Sequence, residues 1–222
     1  MKLNDILTPS FRDFHQKVAR RPMIQVAYDS DLCQEVVANG WLSEGQMRHA
    51  AERYRLGKSR SGKCIYWMMD EMMQVRDGHL GDSWVSQLLR TREPELMRWF
   101  QAKHCLFGLH LLSVSSVCHI SIVESERSAV ILSELFPESL WLAYAYPANM
   151  TPDQLEPLQG HHVTFYPRTD PEMDIYVSFL EFADDVRRLY DIDLTVDNLL
   201  EEHATAAQKV RHIDLLDFIL EK

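Results

Sequence analysis

Four short, almost wholly apolar runs alternate with helix-length segments from residue 118 onward, and this alternation constrains the fold more than any other feature. The runs are CHISIVE, LWLAYAY, HHVTFYP and IDLTV. Between them lie SERSAVILSELF, TPDQLEPL and PEMDIYVSFLEFADDVRRLYD, which have the spacing or the start signals of helices. Strands that are apolar throughout are covered on both faces, so the pattern predicts an α/β fold with a parallel sheet flanked by helices.

The first hundred residues predict a smaller α+β subdomain of helices and antiparallel strands. DLCQEVVANG and SEGQMRHAAERY have the composition and the terminal residues of two helices. The segments after them contain aromatic and β-branched residues punctuated by glycine, which is typical of a small twisted sheet with tight turns. We therefore predict two domains, residues 1–103 and residues 104–222, the second ending in helices.

The charge of the chain is unevenly distributed. The net charge is −10, which disfavours general affinity for phosphate backbones. Residues 1–100 carry 15 Lys and Arg against 13 Asp and Glu, whereas the remainder carries 8 against 20. No run approaches the roughly 18 apolar residues of a membrane span, and the N-terminal sequence lacks a signal-peptide core, so we expect a cytoplasmic protein without a membrane partner.

The four cysteines include no C-x-x-C pair, and each has apolar neighbours in the sequence. This pattern favours reduced, buried thiols over a metal site. The alternative is a metal site built from the two His-Cys neighbours, although their spacing fits no standard zinc motif. The residues concerned are Cys33, Cys64, Cys105 and Cys118, with His104, His110 and His119 as the accompanying imidazoles.

Two acidic residues follow predicted strands directly. Glu124 comes after HISIV, and Asp170 comes after HVTFYPRT. Ligands of open α/β sheets gather outside the carboxyl ends of the strands, so the two carboxylates are candidates for one shared site. Mg²⁺ takes one or two carboxylates together with water and phosphate oxygens, which makes it the metal that this pattern favours. The alternative is that both residues are ordinary turn formers.

The runs VESERSAV, ELFPESLWLA, HHVTFYPRTD and HIDLLDFIL resemble a Toprim domain, the metal-binding α/β module of bacterial primases, topoisomerases and some nucleases. The stretch from about residue 54 onward is similar to primase-related, Toprim-like proteins of Bacteroides-type mobile elements. ERYRLGKSRSGKCIYWMMDE, RDGHLGD, KHCLFGLHLL and IVESERSAVI carry that second resemblance. The resemblance implies a Toprim-like fold, replication or mobilisation proteins as partners, and a Mg²⁺ site.

The resemblance also implies roles for individual residues. Glu124 matches the Toprim general acid or base, whereas the Asp-x-Asp metal pair falls on Arg168 and Asp170, so only the second acid is present. An arginine in place of a metal-binding carboxylate repels a cation. We expect Arg168 either to bind a phosphate directly or to pair with Glu124 or Asp170. Glu172 and Asp174 are candidate replacement ligands, or simply acids that favour the start of a helix.

A basic and aromatic strip precedes the predicted sheet of the second domain. Cations that attract phosphates and rings that stack on bases are what a groove for single-stranded nucleic acid requires. The alternative is an exposed hairpin turn whose charges keep it solvated. The strip consists of Arg53, Arg55, Lys58, Arg60, Lys63 and Tyr66.

These features lead to three functional hypotheses. The first is a Toprim-like, primase-related protein with a degenerate metal site that binds single-stranded nucleic acid or a replication partner. The second is an active Mg²⁺-dependent nucleotidyl transferase or nuclease that uses Glu124 and Asp170. The third is a protein-interaction domain without nucleic acid. The sequence leaves the oligomeric state open.

Overall fold

In the computed structural model, residues 25–92, 94–97, 104–145 and 150–221 are described. The chain divides into two compact units, Met1–Cys105 and Leu106–Lys222. Within the described ranges, every helix is too short or too polar to cross a membrane.

The helices of the first unit begin at the residues that the sequence indicated. Ser30 accepts a hydrogen bond from the Cys33 amide, and Ser43 forms a reciprocal capping box with Gln46. Gly40 takes a positive φ of 71° just beyond the first helix, a conformation that glycine adopts without steric cost. The helices are α1 (Asp31–Ala38), α2 (Glu44–Tyr54), α3 (Val85–Arg92) and α4 (Pro94–Met97).

A four-stranded antiparallel sheet completes the first unit. Its strands lie in chain order and are β1 (Gly57–Lys58), β2 (Cys64–Met69), β3 (Val75–Leu80) and β4 (Ser83–Trp84). Trp67 on β2 is 1% exposed and lies opposite Gly78 on β3, so an indole covers the glycine. The ring packs in a cluster with aliphatic side chains of β2 and α3, which include Ile65, Val85 and Leu89.

The second unit contains a four-stranded, wholly parallel sheet. Its strands are β5 (His119–Val123), β6 (Leu140–Ala143), β7 (His162–Tyr166) and β8 (Asp193–Val196), arranged in the order β6-β5-β7-β8. The central strand β5 pairs with β6 on one side and with β7 on the other. Its residues 120, 122 and 123 are fully buried, as the unbroken apolar runs predicted.

Helices accompany this sheet in the second unit. They are α5 (Glu126–Leu135), α6 (Asp174–Leu189), α7 (Leu199–His203), α8 (Ala206–Val210) and α9 (Leu215–Leu220), and α5 lies on β5 and β6 whereas α6 lies on β8. Two 3₁₀ helices, Leu109–Ser113 and Pro152–Leu158, accompany them. The second keeps 3₁₀ geometry around Pro157, which has no amide hydrogen to donate.

The fold class predicted from the sequence is confirmed: a parallel sheet flanked by helices follows a unit of helices and antiparallel strands. The C-terminal tail ends in helices, as predicted, and forms three short ones. New capping boxes at Thr205 and Asp214 start α8 and α9 and interrupt a continuous helix. The prediction of four buried thiols was wrong for Cys118, which is exposed, and Cys105 is only half-buried.

Candidate functional site

The carboxyl ends of the parallel strands bring three polar side chains together. Glu124 follows β5, Tyr144 follows β6, and Arg168 lies two residues beyond β7. The amide of Tyr144 donates to the Val123 carbonyl (3.3 Å), and the amide of residue 145 donates to the Glu124 carbonyl (3.0 Å). The chain leaving β6 is therefore fixed beside the chain leaving β5, at the edge where α/β sheets bind ligands.

Arg168 forms an ion pair with Glu124. Its Nε lies 3.3 Å from Glu124 Oε2, and the Glu124 side chain is 18% exposed. The contact lacks hydrogen-bond geometry, and within the described residues neither of these two atoms has another hydrogen-bond partner. Burial raises the pKa of Glu124, and Arg168 opposes that shift without cancelling it. The site thus holds a carboxylate whose charge is only partly compensated.

Two further groups contribute to the electrostatics of Glu124. Burial raises the pKa of Tyr144 well above its ordinary value, and the Glu124 charge adds to that rise. Within the part of the chain that the structure describes, the Tyr144 hydroxyl is buried without a hydrogen-bond partner. Burial also raises the pKa of Asp214, although Asp214 accepts hydrogen bonds from the Ser128 hydroxyl and the Asp217 amide. The edge is therefore a buried cluster that disfavours additional negative charge.

Asp170 has a different role in the structure. Its carboxylate is 3% exposed and accepts backbone hydrogen bonds from Glu172 (3.1 Å), Asp174 (3.1 Å) and Ile175 (2.9 Å). Burial alone raises the pKa of Asp170, but these three donors outweigh burial and the pKa is lowered. Asp170 thus satisfies the free amides at the start of α6, in the manner of a helix cap.

The acids that the sequence suggested as metal ligands contact different groups and do not share one site in the described residues. Glu124 faces Arg168, Asp170 holds the start of α6, and Glu172 and Asp174 are exposed at that helix start. Across residues 25–92, 94–97, 104–145 and 150–221, no three or more His, Cys, Asp or Glu side chains are grouped so as to hold a metal ion. Asp170 has committed both oxygens to amides, so this donor set does not fit Mg²⁺.

A groove of about 1120 Å³ lies in the first unit, beside the turn between β1 and β2. We call it the hairpin groove. It is lined by the residues of the turn, by apolar side chains of β3 and α3, and by the segment that precedes α1. Its cations are Lys58, Arg60 and Arg92, its apolar residues include Leu80, Val85, Leu88 and Leu89, and Tyr28 adds an aromatic ring.

Local hydrogen bonds fix the turn beside this groove. The amide of Ser59 donates to the Lys63 carbonyl (2.9 Å), and the Asp31 side chain accepts from the Cys64 amide (2.7 Å). The Asp31 amide in turn donates to the carbonyl of residue 62 (2.9 Å). These bonds connect the start of α1 to the hairpin, so the turn that carries Arg60 has a defined position.

The structure brings part of the predicted basic strip to the groove. Lys58 and Arg60 line it, and Lys58 also pairs with Asp29. Lys63 is exposed and lies 3.7 Å from Asp31. The remaining members lie outside the lining: Arg53 on α2, Arg55 in a left-handed position after α2, and half-buried Tyr66 on β2.

A buried cluster in the first unit escaped the sequence analysis. The Asp77 side chain on β3 is fully buried and lies 2.9 Å from His104 Nε2. It also accepts from the amides of Gly78 (2.7 Å) and Ser86 (3.0 Å), and the His104 ring stacks on Trp84 at 3.8 Å between centroids. The available signal was an acid inside a predicted strand, between Arg76 and Gly78. His104, its partner, lies 27 residues away, and no sequence pattern indicated that it contacts Asp77.

Comparisons with known proteins complete the description. The chain is similar to a structure of the DnaG primase catalytic domain bound to ssDNA, with a TM-score of 0.48 and 13% identity over 94% of this chain and 81% of that one. For the zinc-binding and RNA polymerase domains of the Aquifex aeolicus primase, the TM-score is 0.44 and the identity 12%, and the chain spans 59% of that structure.

A comparison with curated proteins gave no match. A family model described as a domain of unknown function, DUF6371, matches residues 32–169. That range runs from α1 through Glu124 and the end of β7 to the residue before Asp170, and it makes up more than half of the chain. The chain therefore belongs to the DUF6371 family.

Proposed function

We propose that this chain is a Toprim-like, primase-related protein that binds single-stranded nucleic acid and in which an ion pair replaces the metal site. The observation that carries the binding function is the hairpin groove, where cations, a tyrosine ring and apolar side chains line one cavity. A single strand offers phosphates and exposed base faces together, and this lining complements both.

The chemistry of the groove favours a single strand over a duplex. Arg60 is exposed on the turn, and Arg92 lies at the end of α3. Apolar side chains between such cations provide contact area for unpaired bases, which a duplex keeps stacked inside. A phosphate that enters the groove competes with Asp29 for Lys58, since the two already form an ion pair.

The geometry of the sheet edge supports the loss of metal chemistry. Arg168 places a cation against Glu124, the residue that matches the Toprim acid. Asp170 is held by three backbone amides, and both of its carboxylate oxygens accept from them. A divalent ion would have to displace a guanidinium and break a helix cap, and both changes cost free energy.

The resemblance to primase-related proteins of mobile elements suggests that the bound strand is an intermediate of replication or mobilisation. It also suggests a replication or mobilisation protein as partner and a cytoplasmic location.

Fluorescence anisotropy with a labelled single-stranded oligothymidine, across a salt series, tests the binding function. We expect affinity to fall linearly with salt on logarithmic axes, and Arg60→Glu to reduce that slope by about 0.7 to 1 because one phosphate contact is lost. Arg188→Glu is the matched control, since it makes the same charge change on exposed α6. Equal weakening by both variants, or binding without salt dependence, would contradict the assignment of the groove.

Calorimetry with MgCl₂ and MnCl₂ tests the proposed loss of the metal site. We expect no saturable heat from the unmodified chain, because its donor set is committed elsewhere. Saturable binding that disappears in both Glu124→Ala and Asp170→Ala would overturn the degenerate site and favour an active metal-dependent enzyme.

A further inference from the structure

The amino-terminal edge of the parallel sheet carries a row of two histidines and an aspartate. His119 is the first residue of β5 and pairs in register with His162, the first residue of β7. His162 in turn pairs in register with Asp193, the first residue of β8. Residues that lie in register on neighbouring strands project from the same face of a sheet, so the three side chains are adjacent. This edge is opposite to the one that holds Glu124.

The contacts within the row orient the two imidazoles. His162 Nδ1 lies 2.6 Å from Asp193 Oδ2, so the carboxylate accepts a hydrogen bond from the Nδ1–H group. This tautomer of the neutral ring leaves the Nε2 lone pair available. The ring centroids of His119 and His162 are 4.7 Å apart at 43°. The centroid of a metal-bound imidazole lies about 3 Å from the ion, so two such rings on one ion are about 4.5–5 Å apart.

We propose that His119 and His162 bind one late first-row divalent transition-metal ion, with Asp193 as the residue that positions His162. A carboxylate that accepts the second ring hydrogen of a histidine is the usual support of a histidine ligand. Water completes the coordination, because the residues described supply no third His, Cys, Asp or Glu ligand there. Imidazole with water suits Cu²⁺, Ni²⁺ and Zn²⁺, in contrast to the carboxylate-rich surroundings that Mg²⁺ prefers.

The surroundings of the row are compatible with ligand entry. The His162 side chain is 46% exposed and His119 is half-buried. Both rings are attached to strands of the sheet, so their positions are largely fixed before a metal ion binds. This reduces the entropy cost of binding.

Calorimetric titration of the full chain with Cu²⁺, Ni²⁺ and Zn²⁺ in separate experiments tests the site. The titrations use a Cys118→Ser background, since Cys118 is exposed, precedes His119 and would bind soft metals by itself. We expect one ion per chain, with Cu²⁺ bound more tightly than Ni²⁺ or Zn²⁺. Loss of binding in the Cys118→Ser chain would assign the site to the thiol and overturn the proposal.

Variants of the row provide the decisive comparison. His162→Gln and His119→Gln should each abolish saturable binding, and Asp193→Asn should weaken it by about 10- to 100-fold. His161→Gln is the matched control, because it removes the neighbouring imidazole without touching the row. Binding that survives His119→Gln, or that is lost equally in His161→Gln, would contradict the proposed ligands.

Two further measurements distinguish the loss of a ligand from misfolding of a variant. Thermal unfolding with a chelator present shows whether each variant keeps the stability of the parent chain. The Cu²⁺ electron paramagnetic resonance spectrum of the Cys118→Ser chain should show two coordinated nitrogens, and a spectrum with one or none would overturn the two-histidine assignment. Because this site lies in the second unit and shares no residue with the hairpin groove, its failure leaves the proposed nucleic-acid function untouched.

Discussion

The Nε atom of Arg168 lies 3.3 Å from Oε2 of Glu124, at the edge of the sheet where β5 and β7 end. Two residues separated by 44 positions in the sequence therefore share one buried contact. Burial still raises the pKa of Glu124 despite this cation, so desolvation outweighs the attraction. The pair partly compensates a charge that the fold buries, and it contributes to the pH dependence of the stability of the second unit.

Replacing Glu124 with glutamine should alter the pH dependence of stability. The folded pKa of Glu124 is raised above its ordinary value of 4.5, so the folded state keeps a proton that the unfolded state has released. The free energy of unfolding of the parent chain therefore falls as pH rises from about 4.5 through the folded pKa. Glu124→Gln lacks this titration, and its stability relative to the parent should rise over that window. Urea unfolding at successive pH values measures the difference.

Arg168→Gln provides the complementary comparison. Arg168 lowers the pKa of Glu124, so its removal should raise that pKa further and extend the window to higher pH. The carboxyl carbon shift of Glu124 in nuclear magnetic resonance reports the pKa directly. Arg188→Gln, at an exposed position of α6, is the control and should leave the Glu124 pKa unchanged. A Glu124 pKa that falls in Arg168→Gln would contradict the ion pair.

Asp170→Asn should destabilise the second unit at neutral pH. The asparagine amide offers one acceptor oxygen where the carboxylate accepts three backbone hydrogen bonds, so we expect a loss of about 1–2 kcal/mol. The pKa of Asp170 is lowered, so its contribution is present above its ordinary value of 3.8 and is lost as pH falls through the folded value. Urea unfolding at pH 7 and in acid measures both effects. A constant difference across pH would contradict a charged cap.

Gly78→Ala should strongly destabilise the first unit. A Cβ atom at this position would lie 2.8 Å from Cε3 and Cζ3 of Trp67 and 3.0 Å from Cγ2 of Val85. The indole is fully packed, so we expect a loss of about 1–3 kcal/mol and a change in Trp fluorescence. Gly45→Ala is the matched control, because no atom lies within 4 Å of its added Cβ and alanine favours the helix. Equal stability of the two variants would contradict the packing of Trp67.

Arg168→Asp should create affinity for divalent cations, if the sheet edge descends from a metal site as proposed. The substitution removes the guanidinium and places a second carboxylate beside Glu124, which is enough for Mg²⁺ with water in its other positions. Calorimetry with MnCl₂ measures the gain. Arg168→Asn removes the cation without adding an acid and should bind less. An Arg168→Asp chain without saturable heat would contradict the correspondence of Arg168 to a metal-binding acid.

The sequence allowed the strands and most helix starts to be predicted because these depend on local patterns. The runs of β5 and β6 are almost wholly apolar and buried, and Ser43 with Gln46 carries its capping signal within four residues. The strand ends followed from the same patterns, which is why Glu124 could be identified as a site candidate. The position of Glu124 after a buried strand follows from the sequence alone, without knowing which residues lie beside it in the fold.

The contacts of the site could not be predicted in the same way. Which acid Arg168 contacts depends on the register of β5 against β7 and on the commitment of Asp170 to the start of α6. The Asp77–His104 contact could not be predicted for the same reason, because it joins a strand to a segment that is distant in the sequence. The thiol of Cys118 is exposed because it lies just before β5, and an apolar neighbourhood in the sequence does not distinguish that position from the strand interior.

The short bridge between Phe107 and Ala143 has a consequence for self-association. Phe107 donates to the Ala143 carbonyl (2.8 Å) and accepts from the Ala143 amide (3.1 Å), so a backbone segment occupies the outer side of β6 at its carboxyl end. An uncovered edge of this apolar strand would offer a template for pairing with another chain. The bridge blocks edge-to-edge aggregation at that end and should slow hydrogen exchange of the Ala143 amide relative to exposed loops.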